Sequence, residues 1–106
     1  MRFLVVTKSR ESFPPDVAPM LLQAMRAWVE ENRTAGRIED VWGFAGIPGG
    51  GGIFNVESLE ELDGVMAAFP FGNFSDVEVY GLVDIDGALD GFEATINRMM
   101  EAMGGG

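Results

Sequence analysis

Between Arg2 and Thr7-Lys8 stands a run of four apolar residues, Phe3 to Val6, apolar on both faces of an extended chain. Phe3, Val5 and Thr7 fall on one side and Leu4, Val6 and Lys8 on the other, so the pattern predicts a strand covered on both faces. Ser9 to Pro15, with two charges and the pair Pro14-Pro15, breaks it into a loop. The period then changes to helical. Asp16 is the expected N-cap, Pro19 is tolerated in the first turn, and Leu21, Ala24, Met25 and Trp28 form a stripe on a helix reaching about Thr34. Gly36 supplies the left-handed residue past its end. Ile38 to Gly46 and Gly52 to Val56 predict two strands joined by a turn at Pro48 to Gly51. Ser58 and Glu61 have capping-box spacing and open a helix from Leu59 to about Ala68, with Leu59, Leu62, Val65, Met66 and Phe69 on its buried face. Pro70 ends that helix, Phe71 to Phe74 is a loop, and Asp76 to Leu82 alternates as a fourth strand. Asp84 or Asp86 caps a last helix, about Ala88 to Met103, whose apolar stripe runs from Leu89 through Phe92, Ile96, Met99 and Met100 to Met103. Gly104 to Gly106 is expected to be a flexible tail.

The order is strand, helix, strand, strand, helix, strand, helix. The first six elements match the split βαβ, ferredoxin-like arrangement, an α+β fold with both crossover helices on one face of a four-stranded antiparallel sheet. A single domain over residues 1–103 is expected. The other sheet face carries Trp42 and Tyr80, which calls for a cover. A second copy of the sheet, giving a dimeric α+β barrel, is the simplest one. The C-terminal helix is a rival or additional cover, in its own subunit or in a partner.

Composition narrows the function. At 106 residues and 47% hydrophobic, the chain can build a core. A net charge of −10 argues against nucleic acid and anionic membrane surfaces as partners. With no cysteine and no histidine, thiolate chemistry, imidazole bases and the usual transition-metal ligands are excluded. The N-terminal apolar run is too short for a leader or a membrane span, and a cytoplasmic location is expected. Asp84, Asp86 and Asp90 are spaced somewhat like a calcium loop but lack its closing Glu, so no metal site is expected.

From Arg37 to Leu82 the chain resembles the muconolactone isomerase family. The likeness rests on Trp42, Ala45 and Gly46 (W-x-x-A-G), on I-F-N-V-E-S-L-E-E-L from Ile53 to Leu62, on Phe69-Pro70-Phe71, and on D-V-E-V-Y-G-L from Asp76 to Leu82. The resemblance implies a dimeric α+β barrel that can assemble further. It also implies an enzyme that shifts a double bond in a lactone by moving a proton, without metal or cofactor. Two segments depart from the family pattern. The polar and aromatic stretch after Ala45-Gly46, which includes a histidine in the family, is Ile47-Pro48 and four glycines here, and Asn55 replaces an aspartate.

Candidate chemistry follows from residue types. Glu78 is the best general base, because proton abstraction beside a carbonyl needs a carboxylate whose environment raises its pKa. Tyr80, on the same side of the last strand, can donate to a developing enolate oxygen. Trp42 lines an aromatic pocket or a subunit interface, and Asn55 orients a carbonyl or simply ends its strand. Lys8 binds a substrate carboxylate or pairs at the sheet rim. Gly50 and its neighbours form either a flexible hairpin turn or a ligand-facing loop that offers backbone N–H groups. Met99, Met100 and Met103 suit packing against another subunit. The expected function is a cofactor-free isomerase or cyclase acting on a small hydrophobic carbonyl or lactone compound, as a homodimer or higher homo-oligomer. The alternatives are a non-catalytic binding or assembly module on the same fold, and a cofactor-independent monooxygenase of the antibiotic-biosynthesis type.

Overall fold

The computed structural model describes residues 1–104. Eight residues of alternating burial form β1 (Arg2–Ser9), with Phe3 and Val5 turned into the core. The remaining principal elements are α1 (Ala18–Thr34), β2 (Ile38–Gly43), β3 (Gly49–Asn55), α2 (Leu59–Ala67), β4 (Ser75–Leu82) and α3 (Ile85–Gly104). The sheet order is β2-β3-β1-β4, every pair antiparallel. Each of the first two helices thus links two parallel strands across an intervening one, the split βαβ arrangement that the periodicity predicted.

The core lies between the sheet and the first two helices. Phe3, Val5 and Phe54 from the sheet meet Trp28, Leu62 and Phe69. The Trp28 ring sits 6.0 Å from Phe54 and 5.2 Å from Phe69, and its indole N–H donates to the Val65 carbonyl at 3.2 Å. That bond ties α1 to α2 and satisfies a polar atom that burial would otherwise orphan. Buried Asn32 donates to the Trp28 carbonyl at 2.8 Å and accepts from Arg37 Nε at 2.7 Å, closing the end of α1.

Several local expectations are corrected. Val17, not Asp16, occupies the N-cap of α1 and no side chain caps it, so this helix start relies on Pro19 and on packing. Ser58 does accept from the Glu61 N–H at 3.0 Å, but Glu61 reaches back to the N–H of Glu57 rather than of Ser58. Leu59 is 55% exposed, because α2 turns it past the edge of the core. α3 begins at Ile85, three residues early, because Asp84 caps it by accepting from the Gly87 N–H at 3.4 Å. It includes Gly104, where a tail was expected to begin; Gly105 and Gly106 lie outside the described residues.

The largest correction concerns the glycines. Gly49 to Gly52 are not a turn but the first half of β3. They pair with Lys8, Thr7, Val6 and Val5 of β1 on one side, and Gly50, Gly51 and Gly52 pair with Gly43, Trp42 and Val41 of β2 on the other. The reversal lies earlier, at Phe44 to Pro48, where Gly46 takes φ +77°. β2 correspondingly stops at Gly43 instead of Gly46.

α3 does not fold back over its own sheet. None of its residues is buried, and the chain extends 68 Å along its longest axis, with a radius of gyration of 18.9 Å against about 13 Å for a compact chain of this length. The alternative of a cover within its own subunit is thereby overturned. No helix among the described residues is long and apolar enough to cross a membrane.

Candidate functional site

The glycine half of β3 leaves a gap in the layer between sheet and helices. By register Gly50 and Gly52 share a face with Thr7, Val5 and Phe54, where an ordinary strand would project side chains into the core. The gap is a cavity of about 530 Å³, within the range of small-molecule sites. Its walls are aromatic: Phe13, Trp28, Phe54, Phe69 and Phe71 all line it. Phe13 comes from the loop after β1 and stacks at 4.7 Å on Phe71, which in turn lies 5.9 Å from Phe69. The polar side chains among its lining residues are Thr7, Ser9 and Ser75 and the two indoles, beside the peptide groups of the glycine strand. The Thr7 hydroxyl donates to the Gly50 carbonyl at 3.3 Å. Such a lining has the shape and chemistry to accommodate a flat apolar ring with one or two oxygens.

Glycine is required there by close approach. A Cβ on Gly50 would run into the Trp42 carbonyl oxygen, and one on Gly49 into that of Thr7. At Gly52 it would come within 3.0 Å of the Asp40 carbonyl oxygen and 3.2 Å of the Phe54 ring. Gly49 also has φ +149°, which side-chain-bearing residues rarely adopt. Neighbouring backbones therefore press against β3 where side chains would normally keep them apart.

The sequence-predicted residues divide between the two faces. Gly50 lines the cavity, and Trp42 borders it with its backbone while its indole lies by register on the open face. Glu78, Tyr80, Lys8 and Asn55 belong by register to the opposite, open face of the sheet, in rows with Val6, Leu4 and Arg2. Trp42, Gly51, Val6 and Glu78 make one cross-strand row, so Trp42 and Glu78 stand three strand spacings apart, about 14 Å. The indole of Trp42 lies against Gly51, where an added Cβ would meet its Nε1 at 2.9 Å. Asn55 ends β3, its N–H donating to the Arg37 carbonyl at 2.8 Å. Lys8 pairs in register with Asp76, whose carboxylate is held by Arg10 Nε at 3.2 Å.

Glu78 and Tyr80 do come together. The Tyr80 hydroxyl donates to a Glu78 carboxylate oxygen. That bond, and next the negative charge of Glu78, hold the Tyr80 phenol above its usual pKa of 10.0. Tyr80 is thus kept as a neutral donor, half exposed on a face whose other members are Leu4, Val6 and Ile53. Phe13, Trp28, Phe69 and Phe71 were not read as site residues. Their sequence signal was only that of core or loop aromatics, and three separate segments must fold before they converge. A sharper signal was available in the glycines, since glycine inside a strand pattern marks the approach of another backbone or a ligand.

Known proteins share this architecture. The muconolactone isomerase crystal structure superposes with a TM-score of 0.73 at 24% identity, over 79% of this chain and 90% of that one. A 5-chloro-2-hydroxyhydroquinone dehydrochlorinase from Burkholderia phenoliruptrix AC1100, solved in complex with 2,5-dihydroxybenzoquinone, gives 0.63 at 21% identity, over 78% of this chain and 94% of that one. At such identities the likeness is one of fold. Comparison with curated proteins gives no match. The family model for muconolactone delta-isomerase, however, matches residues 1–85, which span every strand, the first two helices and the whole cavity wall. The chain therefore belongs to the muconolactone delta-isomerase family.

Proposed function

We propose that this protein acts on a small hydrophobic carbonyl or lactone compound as a cofactor-free isomerase or cyclase, and that the compound binds in the helix-side cavity. The cavity carries this reading: about 530 Å³ walled by five aromatic rings, with a few hydroxyl and peptide groups to orient an oxygen. The solved family-fold enzymes, one a muconolactone isomerase and the other bound to a dihydroxybenzoquinone, support a ligand of this class. The proton-transfer step is assigned to Glu78 as base and Tyr80 as donor to the developing oxyanion, with Trp42, Asn55 and Lys8 as flanking groups. Because that pair faces away from the cavity, a compound seated there does not reach it, and the step at Glu78 requires a second binding position on the open face. A second sheet must then close over it and exclude water. A homodimer or higher homo-oligomer is thus part of the proposal, as is a cytoplasmic setting.

A second reading has one specific observation in its favour. None of the residues lining the cavity carries an ionisable side chain, which suits a binding module that has kept the pocket without the chemistry. Tryptophan fluorescence during titration with lactones and quinones reports binding, because the Trp28 ring is part of the cavity wall and the Trp42 indole lies against the far side of the glycine strand. Turnover of the same compounds, followed with and without Glu78→Gln, reports chemistry. The enzyme reading expects Glu78→Gln to lose at least about 100-fold in kcat with binding retained. Unchanged turnover rejects Glu78 as the base, and binding with no turnover in the unmodified protein favours the module.

A further inference from the structure

The family match ends at residue 85, where α3 begins, so the family likeness leaves this 20-residue helix unaccounted for. Its apolar residues follow a strict 4-3 spacing: Ile85, Leu89, Phe92, Ile96, Met99 and Met103. That is an uninterrupted heptad seam, with Leu89, Ile96 and Met103 at a and Ile85, Phe92 and Met99 at d. The stripe therefore stays on one face along the whole helix, with the a/d spacing by which one helix seats its side chains between those of another. The seam side chains, with Met100 beside them, are 39% to 85% exposed.

The helix is also poorly suited to standing alone. Gly87 and Gly91 lie in its interior, at positions away from the seam, and each lowers helix stability by about 1 kcal/mol relative to alanine. A single helix of this length is marginal in water even with good formers. Something must bury the seam for α3 to persist.

We infer that α3 pairs in parallel with α3 of a second copy of this chain. Charge selects the orientation. The e positions are Asp86, Glu93 and Met100, and the g positions are Ala88, Thr95 and Ala102. Parallel pairing sets e against g of the partner, so Glu93 meets Ala88 and no two like charges face each other. Antiparallel pairing sets e against e and places the two copies of Glu93 together at the centre. The area is also sufficient. Seven large, mostly exposed side chains amount to on the order of 800 Å² per chain, the share of a standard stable interface. The acidic outer positions (Asp90, Glu101) disfavour an anionic membrane surface as the occupant.

The chain has no cysteine, so one introduced thiol gives an unambiguous readout. In the full-length protein, Met103→Cys at the far end of the seam should form an intermolecular disulfide under mild oxidation, and Asn97→Cys on the outer surface should not. Sedimentation equilibrium should show Ile96→Asp raising the subunit dissociation constant at least tenfold, with Asn97→Asp unchanged. A mass–concentration curve that Ile96→Asp does not move overturns the inference. So does a weakened assembly without the Met103→Cys disulfide, which would place the seam on another surface of the partner. Circular dichroism of Ile96→Asp keeps the test sound, since loss confined to about 20 residues of helix leaves the sheet domain intact and is expected if pairing maintains α3.

Discussion

Replacing Gly50 with alanine distinguishes a paired strand from a flexible turn. In a turn, a methyl group at a permissive position stabilises by about 0.4–1 kcal/mol, because it removes freedom from the unfolded chain. In β3 the same methyl is driven into the Trp42 carbonyl oxygen. β2 must retreat, and the pairings Trp42–Gly51 and Gly43–Gly50 lie at the point of collision. Losing two backbone hydrogen bonds costs about 2 kcal/mol, and displacing the Trp42 indole from Gly51 adds about 1 kcal/mol, so after the unfolded-state gain the net destabilisation is about 2–3 kcal/mol. Gly64→Ala is the matched control. It lies within α2 with nothing within 4 Å of the added Cβ, and is expected to stabilise by about 0.5–1 kcal/mol. Urea denaturation followed by circular dichroism reads both. With a slope of about 1.5 kcal/mol per molar, the Gly50→Ala midpoint should fall by about 1.3–2 M and the Gly64→Ala midpoint rise by about 0.5 M. Equal, stabilising shifts at the two sites would refute the placement of the glycine run in the sheet.

Two further outcomes follow from local geometry. Tyr80 is the sole tyrosine, so alkaline titration of phenolate absorbance isolates it; the midpoint should lie above 10.0 in the unmodified protein and return toward 10.0 in Glu78→Gln. A midpoint indifferent to Glu78→Gln would break the pairing assigned to these residues. Ser58→Ala removes the acceptor of the Glu61 N–H and should cost about 1 kcal/mol in the same urea assay, whereas no change would mean the α2 start is secured elsewhere.

Side-chain periodicity made most of the fold legible. β1 announced itself as a short β-forming run, Phe3 to Val6, apolar on both faces, and α2 because Ser58 and Glu61 stand three apart ahead of an apolar stripe. Gly49 to Gly52 carried no such signal. With no side chain there is no alternation to read, and only the peptide groups of Val5 to Lys8 and Trp42, supplied by distant segments, decide that the run is strand. The candidate site was half legible for the same reason. Glu78 and Tyr80, two apart on one strand, had to share a face and do so. Gly50 was grouped with them although register sets it on the other side, and the aromatic wall from Phe13 to Phe71 is a property of assembled layers. For α3 the stripe was visible, but not its departure from the body, because amphipathicity states that a face needs burial without naming the surface that buries it.

A strand built from four glycines also changes what the sheet is at that point. Elsewhere side chains of β1 and β4 hold the two faces apart. At Gly50 to Gly52 the barrier between the cavity and the open face is one layer of peptide, with an indole resting on its far side. A ligand in the cavity and the Trp42 ring would press on the same amide groups from opposite sides. The sheet is thus thinned at this point to a single layer of peptide, the one thickness that separates the cavity from the Trp42 indole.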